Sequence, residues 1–140
     1  MSRDRLIRSA LWASVVLNAI GLVVFVPPAL GFAPEMLPIP APRFYVAQVA
    51  ATIALFGGVF VWLALQPRID RPLVVVGALG KLGFFALAVA YWIAGDLPAS
   101  AVPQATPDLV LALIFLWWAR GSERTASVTE SPAASRQRFG

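Results

Sequence analysis

Four apolar segments, each close to the length needed to cross a bilayer, dominate this sequence. They run from about residue 6 to 26, 44 to 66, 72 to 94 and 107 to 120. A helix that crosses the hydrocarbon core needs ~20 apolar residues. Hydrophobic residues make up 59% of the chain and charged residues 13%, against roughly 25% charged in soluble domains. A soluble fold of 140 residues cannot bury so much apolar surface, so we predict an integral membrane protein.

Proline and glycine mark the predicted ends of the first three helices. Pro27 and Pro28 are expected to end the first helix and Pro67 the second, because proline lacks a backbone donor and clashes with the preceding turn. Gly95 is expected to end the third. The first segment also has a basic start and small residues at Gly31 and Ala33, as a cleaved signal peptide would. Its length favours an uncleaved helix.

The fourth helix is predicted to start at Pro107. Thr106 would cap it, Pro107 suits the first helical position, and Asp108 favours the positive end of a helix. The resulting span is short for a bilayer, so the preceding segment, residues 96–106, is expected to dip into the membrane edge or cover the bundle.

The arginines predict which side of the membrane each loop occupies. They concentrate in the N-terminus, in the connection between the second and third helices and in the C-terminal tail, whereas Arg43 is the basic residue of the other two connections. Positively charged loops stay in the cytoplasm. We therefore predict an antiparallel bundle of four transmembrane helices over residues 1–120, with both termini cytoplasmic. The tail, residues 121–140, is rich in Ser, Ala, Thr and charge and is predicted to be disordered.

Small residues are spaced along two of the predicted helices. The second helix carries Ala50, Ala54 and Gly58 at four-residue intervals. The third carries a longer row, Gly77, Gly80, Gly83, Ala86, Ala90 and Ala94. Small side chains let helices approach closely in lipid. Both rows are predicted to be contact surfaces, either within the bundle or with a partner subunit, and the sequence leaves that choice open.

Lys81 lies in the middle of the third apolar segment. Insertion scales place the cost of a lysine there at roughly 2.5–3.5 kcal/mol. At ~1.5 Å per residue, Lys81 and Asn18 lie about 15 Å above the arginines that begin their helices, and Asp108 lies about 18 Å above Arg120. Lys81, Asp108 and Asn18 are therefore the candidate site.

Three interpretations of this cluster are open. Lys81 and Asp108 could form a structural ion pair that joins the third helix to the fourth, or they could bind an anionic or polar ligand or carry protons. In the third interpretation Lys81 extends its amine to water, a direction favoured by the lean of helical side chains toward the N-terminus.

Several function classes are absent from the sequence. The chain has no Cys and no His, which removes disulfides, thiol chemistry and the usual zinc and haem ligands. Phosphate-binding loops, nucleotide fingerprints and metal-spaced clusters are missing. No basic patch interleaved with aromatic residues points to nucleic acid. We predict neither a cofactor nor a metal, and no catalytic residues.

Three short motifs resemble those of a known group. They are Gly80-Lys81-Leu82-Gly83, Pro107-Asp108-Leu109-Val110 and Phe115-Leu116-Trp117-Trp118. Together, over about residues 6–120, they resemble the small bacterial four-helix membrane proteins of the DoxX-like and BphX-like groups. The resemblance implies a multi-pass protein of the bacterial inner membrane and directs attention to Lys81 and Asp108. It implies no established activity.

The function expected from the sequence is therefore a non-enzymatic accessory, scaffold or interaction subunit. Its expected partners are membrane lipids and either further copies of itself or another membrane protein. The alternative is a small carrier or binding protein for a lipophilic or anionic molecule, with Lys81 as its anchor. An enzyme acting on lipid, which would have to use Asp108 and Lys81, ranks third.

Overall fold

The computed structural model describes the backbone of residues 3–37 and 39–129 and the side chains of residues 3–37 and 39–121. Four long helices account for most of it: α1 (Arg3–Leu30), α2 (Arg43–Leu65), α3 (Arg71–Ala94) and α4 (Ala101–Thr129), with a short 3-10 turn at Pro34–Met36. All four contain a stretch long and apolar enough to cross a membrane, which in α4 is Ala101–Gly121. Helices α2 and α3 begin and end within one residue of the predicted limits.

Helix α1 does not end at its two prolines, as predicted, but continues to Leu30. Its end is set by Gly31, whose φ of 91° lies in the left-handed region that glycine enters freely. The amide of Gly31 donates to the carbonyl of Pro28, and that of Phe32 donates to the carbonyl of Pro27. This is the paired arrangement in which a glycine closes a helix. The prolines remove two amide donors from the last turns without breaking them.

Helix α4 begins at Ala101, six residues before the predicted start. Pro103 falls in its first turn, where the missing amide would have no intrahelical partner in any case. Thr106 is therefore not a cap: its hydroxyl donates to the carbonyl of Val102, 3.0 Å away, inside the helix. The span of 21 residues is long enough for a bilayer. Residues 101–106, which were expected to dip into the membrane edge or cover the bundle, are instead the first turns of α4.

The far end of α4 also differs from the prediction. Its backbone is helical through Thr129, whereas the sequence predicts a disordered tail from residue 121, which stays a prediction. Residues 130–140 lie outside the described part of the chain. The segment after Gly121 contains no proline before residue 132, so no residue there forces the helix to end.

The helices form two hairpins joined at one end. Helix α1 packs along α2, α3 packs along α4, and the two hairpins meet mainly through α1 and α4. We call the end that holds the start of α1, the α2–α3 connection and the end of the α4 span the arginine end, and the other the opposite end. The shared core lies at the arginine end and contains Ile7, Leu11, Phe60, Leu63 and Phe115.

Two arginines fix the α1–α2 hairpin in an antiparallel arrangement. Arg8, near the start of α1, donates to the carbonyls of Ala64 and Gln66 at the end of α2, each over 2.7 Å. Arg43, at the start of α2, donates to the carbonyl of Leu30 at the end of α1 over 2.6 Å. The last carbonyls of a helix lack intrahelical donors and carry partial negative charge. Each helix thus supplies the cation that caps its neighbour.

The small-residue rows have a mixed outcome. Gly77 is buried, and a Cβ there would lie 2.8 Å from the Phe60 ring, so α2 and α3 approach closely at that point. Ala50 is also buried. The remaining members of both rows are exposed, namely Ala54, Gly58, Gly80, Gly83, Ala86, Ala90 and Ala94. The rows are therefore not continuous contact surfaces within one chain, which was the first of the two interpretations that the sequence left open.

Candidate functional site

Helices α3 and α4 carry the two charged residues of the candidate site. The start of α3 is fixed by Asp70, whose carboxylate accepts from the amide of Leu73 over 2.9 Å, and its end by Gly95 at a φ of 85°. Lys81 lies ten residues after Arg71, near the middle of the helix. Because α4 begins at Ala101, Asp108 lies two turns inside it rather than at its start. Both charges therefore occupy helix interiors.

Lys81 and Asp108 form an ion pair. The ammonium nitrogen of Lys81 lies 2.5 Å from Oδ1 of Asp108, and the two side chains are 6% and 15% exposed. The ammonium also lies 5.1 Å from the centre of the Phe60 ring, within the range at which an aromatic face attracts a cation. A buried charge needs a partner, and here the two charges neutralise each other. Ser14 and Lys81 are the two buried polar residues among the described side chains.

The pair decides between two of the three interpretations of the cluster. An extended lysine would place its amine in water, but this ammonium is bound to a carboxylate and shielded by Phe60. The side chain of Lys81 leans toward the N-terminus of α3, which is at the arginine end. This lean does not prevent the contact, because Asp108 lies two turns inside α4 and so nearer the arginine end than a first-turn residue would. Snorkelling by Lys81 is therefore wrong. Whether the pair also serves a ligand is a separate question.

Asn18, the third predicted member, does not join the pair. A Cβ on Gly57 of α2 would lie 3.4 Å from the Cβ of Asn18, which places the asparagine in the α1–α2 interface. Its Nδ2 is buried and has no hydrogen-bond partner among the described residues. The depth estimate from the arginines correctly placed Lys81 beside Asp108. It could not assign Asn18, because depth does not specify which neighbour a helix face meets.

Sequence reasoning missed Ser14 and Arg8. Ser14 is fully buried, and its hydroxyl donates to the carbonyl of Ala10 over 3.0 Å. The signal was present, since Ser14 and Asn18 are four residues apart and so share one helix face. Arg8 was counted only as a charge that sets orientation, although its position at the start of an apolar run also suits the capping of an antiparallel neighbour.

The chemistry available to the site is narrow. Within the described residues, no group of three or more acidic side chains is arranged to hold a metal ion, and the sequence has no His or Cys. The ion pair can stabilise the contact between α3 and α4, and its charges are turned toward each other. No family model, no curated protein and no solved structure matches this chain. The resemblance to the DoxX-like and BphX-like groups therefore stays a prediction.

Proposed function

We propose that this protein is a non-enzymatic accessory or interaction subunit of the bacterial inner membrane, with its arginine end in the cytoplasm. The orientation is supported by the clustering of Arg3, Arg5, Arg8, Arg68 and Arg71 at that end. The inner membrane is supported by the resemblance to small bacterial four-helix proteins. The four helices long enough to cross a bilayer support multi-pass insertion.

The observation that carries this proposal is the closed Lys81–Asp108 pair. An intramembrane charge that binds a ligand or carries protons must be accessible to that ligand or to water. Here the Lys81 side chain is 6% exposed, and its ammonium lies 2.5 Å from the carboxylate of Asp108. The pair therefore supports a structural role, and the other charged side chains of the described helices lie near the ends of the four candidate spans.

The exposed faces of α2 and α3 support a partner in the membrane. Gly58 and Gly83 are exposed, and a Cβ at either glycine would meet nothing within 4 Å. Ala54 lies beside Gly58, and Ala90 lies two turns after Gly83. These faces suit the close approach of another helix, which lipid-embedded helices achieve through small residues. The partner would be a second copy or another membrane protein.

The test is photo-cross-linking in native membranes. A photoreactive residue at Ala54 or Ala90 should give a protein adduct of discrete mass. Gly58→Leu or Gly83→Leu should remove that adduct without lowering thermal stability, because neither leucine meets a neighbour in the chain within 4 Å of its Cβ. The same probe at Val23, which is exposed on α1, is the matched control and should label lipid. Lipid adducts alone at all three positions, or reproducible turnover of a substrate by the purified protein, would contradict the proposal.

The carrier function has weaker support. It requires Lys81 to anchor an anionic molecule, yet Asp108 already occupies the ammonium. An unchanged profile of co-purifying lipids in Lys81→Met would eliminate that anchor role.

A further inference from the structure

A groove between α1 and α4 is lined by neither member of the ion pair and by no residue of the proposed partner surfaces. Its volume is about 520 Å³. The lining consists of one apolar row on α1 and a mostly apolar row on α4, namely Ala13, Val16, Leu17 and Ile20, and Pro103, Thr106, Pro107, Val110 and Leu111. The buried part of the shared core reaches Leu11 on α1 and Leu111 on α4, and the half-buried Val15 and Leu17 pack against it. The groove begins at that level and extends toward the opposite end, where the two hairpins are not held together by a common core.

We propose that this groove binds one acyl chain of a phospholipid. Its lining carries no charged side chain, and its one hydroxyl, that of Thr106, already donates to the carbonyl of Val102. Water held in such a space would need two to four polar partners. An empty groove would forfeit the dispersion contacts of its walls. Hydrocarbon therefore suits the space best.

The dimensions fit a chain from one leaflet. The lining runs over seven residue steps on α1, from Ala13 to Ile20, and eight on α4, from Pro103 to Leu111, which correspond to about 11 Å and about 12 Å of helix. Half of a ~30 Å hydrocarbon core is ~15 Å. The groove therefore covers most of the depth of the leaflet at the opposite end, and it stops near the middle of the membrane as an acyl chain does.

A transmembrane helix fits the same space poorly. Val16, Ile20 and Val110 project from the groove walls, and branched side chains keep a second helix backbone at a distance. Close helix approach in lipid favours small residues, and those lie exposed on α2 and α3 instead. A flexible hydrocarbon chain can follow an uneven wall that a helix cannot.

One backbone carbonyl at the open end of the groove lacks its usual helical donor. Pro107 has no amide hydrogen, so the carbonyl of Pro103, four residues earlier, lacks that helical partner. Pro103 lies two residues after the start of α4, about 3 Å along the helix axis. In the proposed membrane position this carbonyl lies near the ester and headgroup region, where a phospholipid places its own polar groups.

Native mass spectrometry of the delipidated full chain, titrated with dioleoyl phosphatidylglycerol in detergent, tests the proposal. Val110→Trp fills the groove, since Val110 is 50% exposed, and Val76→Trp, at 53% exposed on α3, is the matched control. The wild type and the control should retain one lipid at a collision energy that strips the others. The same signal should fall at least fivefold in Val110→Trp.

A second measurement keeps the result independent of how the variant folds. A phospholipid with a photoreactive group in mid-chain should label residues 13–20 and 103–111 of the wild type in preference to the rest of the four helices. Uniform labelling, or equal lipid retention by Val110→Trp and wild type, would overturn the proposal. So would a wild-type dimer that Val110→Trp converts to a lipid-free monomer, because the groove would then be an interface between copies.

Discussion

Breaking the Lys81–Asp108 pair should expose the energy that it contributes to the fold. In Lys81→Met the carboxylate of Asp108, only 15% exposed, is left facing a thioether and the Phe60 ring. Removing one partner of a buried pair costs about 3–5 kcal/mol in soluble proteins.

The value expected in a membrane protein is smaller. Hydrogen bonds between transmembrane helices contribute about 0.6 kcal/mol on average and up to about 1.7 kcal/mol in double-mutant cycles. A charge-assisted contact is roughly twice as strong as a neutral one. We therefore expect Lys81→Met and Asp108→Leu each to lower the unfolding free energy by about 2–3 kcal/mol. The double variant, with two apolar side chains in lipid, should return to within about 1 kcal/mol of the wild type.

Equilibrium unfolding with SDS in mixed micelles measures all four corners of this cycle. Asp108→Asn is the conservative control: its amide oxygen can still accept from Lys81, so it should lose less than Asp108→Leu. A coupling below about 0.5 kcal/mol, the usual error of additivity, would refute the reasoning. The closed pair would then not be what holds α3 to α4, and the structural role assigned to it would fall.

Three further predictions concern Gly77, Arg8 and Asn18, and the same unfolding titration measures each of them. Gly77→Ala should lower the unfolding free energy by about 1 kcal/mol, because overpacking of about 1–3 kcal/mol against the Phe60 ring at 2.8 Å outweighs the gain in helix propensity. Its control, Gly83→Ala, should raise the unfolding free energy by up to about 1 kcal/mol. Equal effects of the two substitutions would contradict the close approach of α2 and α3 at Gly77. Arg8→Gln should lower the unfolding free energy by about 2 kcal/mol, because it removes the hydrogen bonds to the carbonyls at the end of α2. Arg8→Lys should lower it less. An unchanged unfolding free energy in Arg8→Gln would show that the cap is not formed. Asn18→Leu should raise stability by about 1 kcal/mol, because it removes a buried donor without a partner; a loss would mean that the amide is satisfied.

The sequence predicted the helices better than their ends. Hydrophobic length alone located four spans, since lipid requires ~20 apolar residues whatever the fold. Prolines were misread at Pro28 and Pro107 because one lost hydrogen bond near a helix end is tolerated when neighbouring residues continue the turn. The actual stop signal at the end of α1 was Gly31, whose positive φ depends on a backbone geometry that the sequence does not display.

The site was partly predictable for a related reason. Counting residues from the arginines gives depth, and depth brought Lys81 and Asp108 together. Rotation about the helix axis is set by packing, and no count gives it. Asn18 therefore turned toward Gly57 rather than toward the pair. Likewise Ala50 faces the interior while Ala54, one turn later, is exposed.

The two arginines that cap each other's helices also give the α1–α2 hairpin a fixed register. Sliding α1 against α2 by one turn, about 5.4 Å, would break the bonds of Arg8 and Arg43 together. Arg8 and Leu30 are 22 residues apart on α1, about 33 Å, against a hydrocarbon core of ~30 Å. A hairpin locked at that length cannot shorten in a thinner bilayer and must tilt instead. Since α1 forms one wall of the groove, its tilt would change the width of the space beside α4, so membrane thickness would be felt where the acyl chain is proposed to lie.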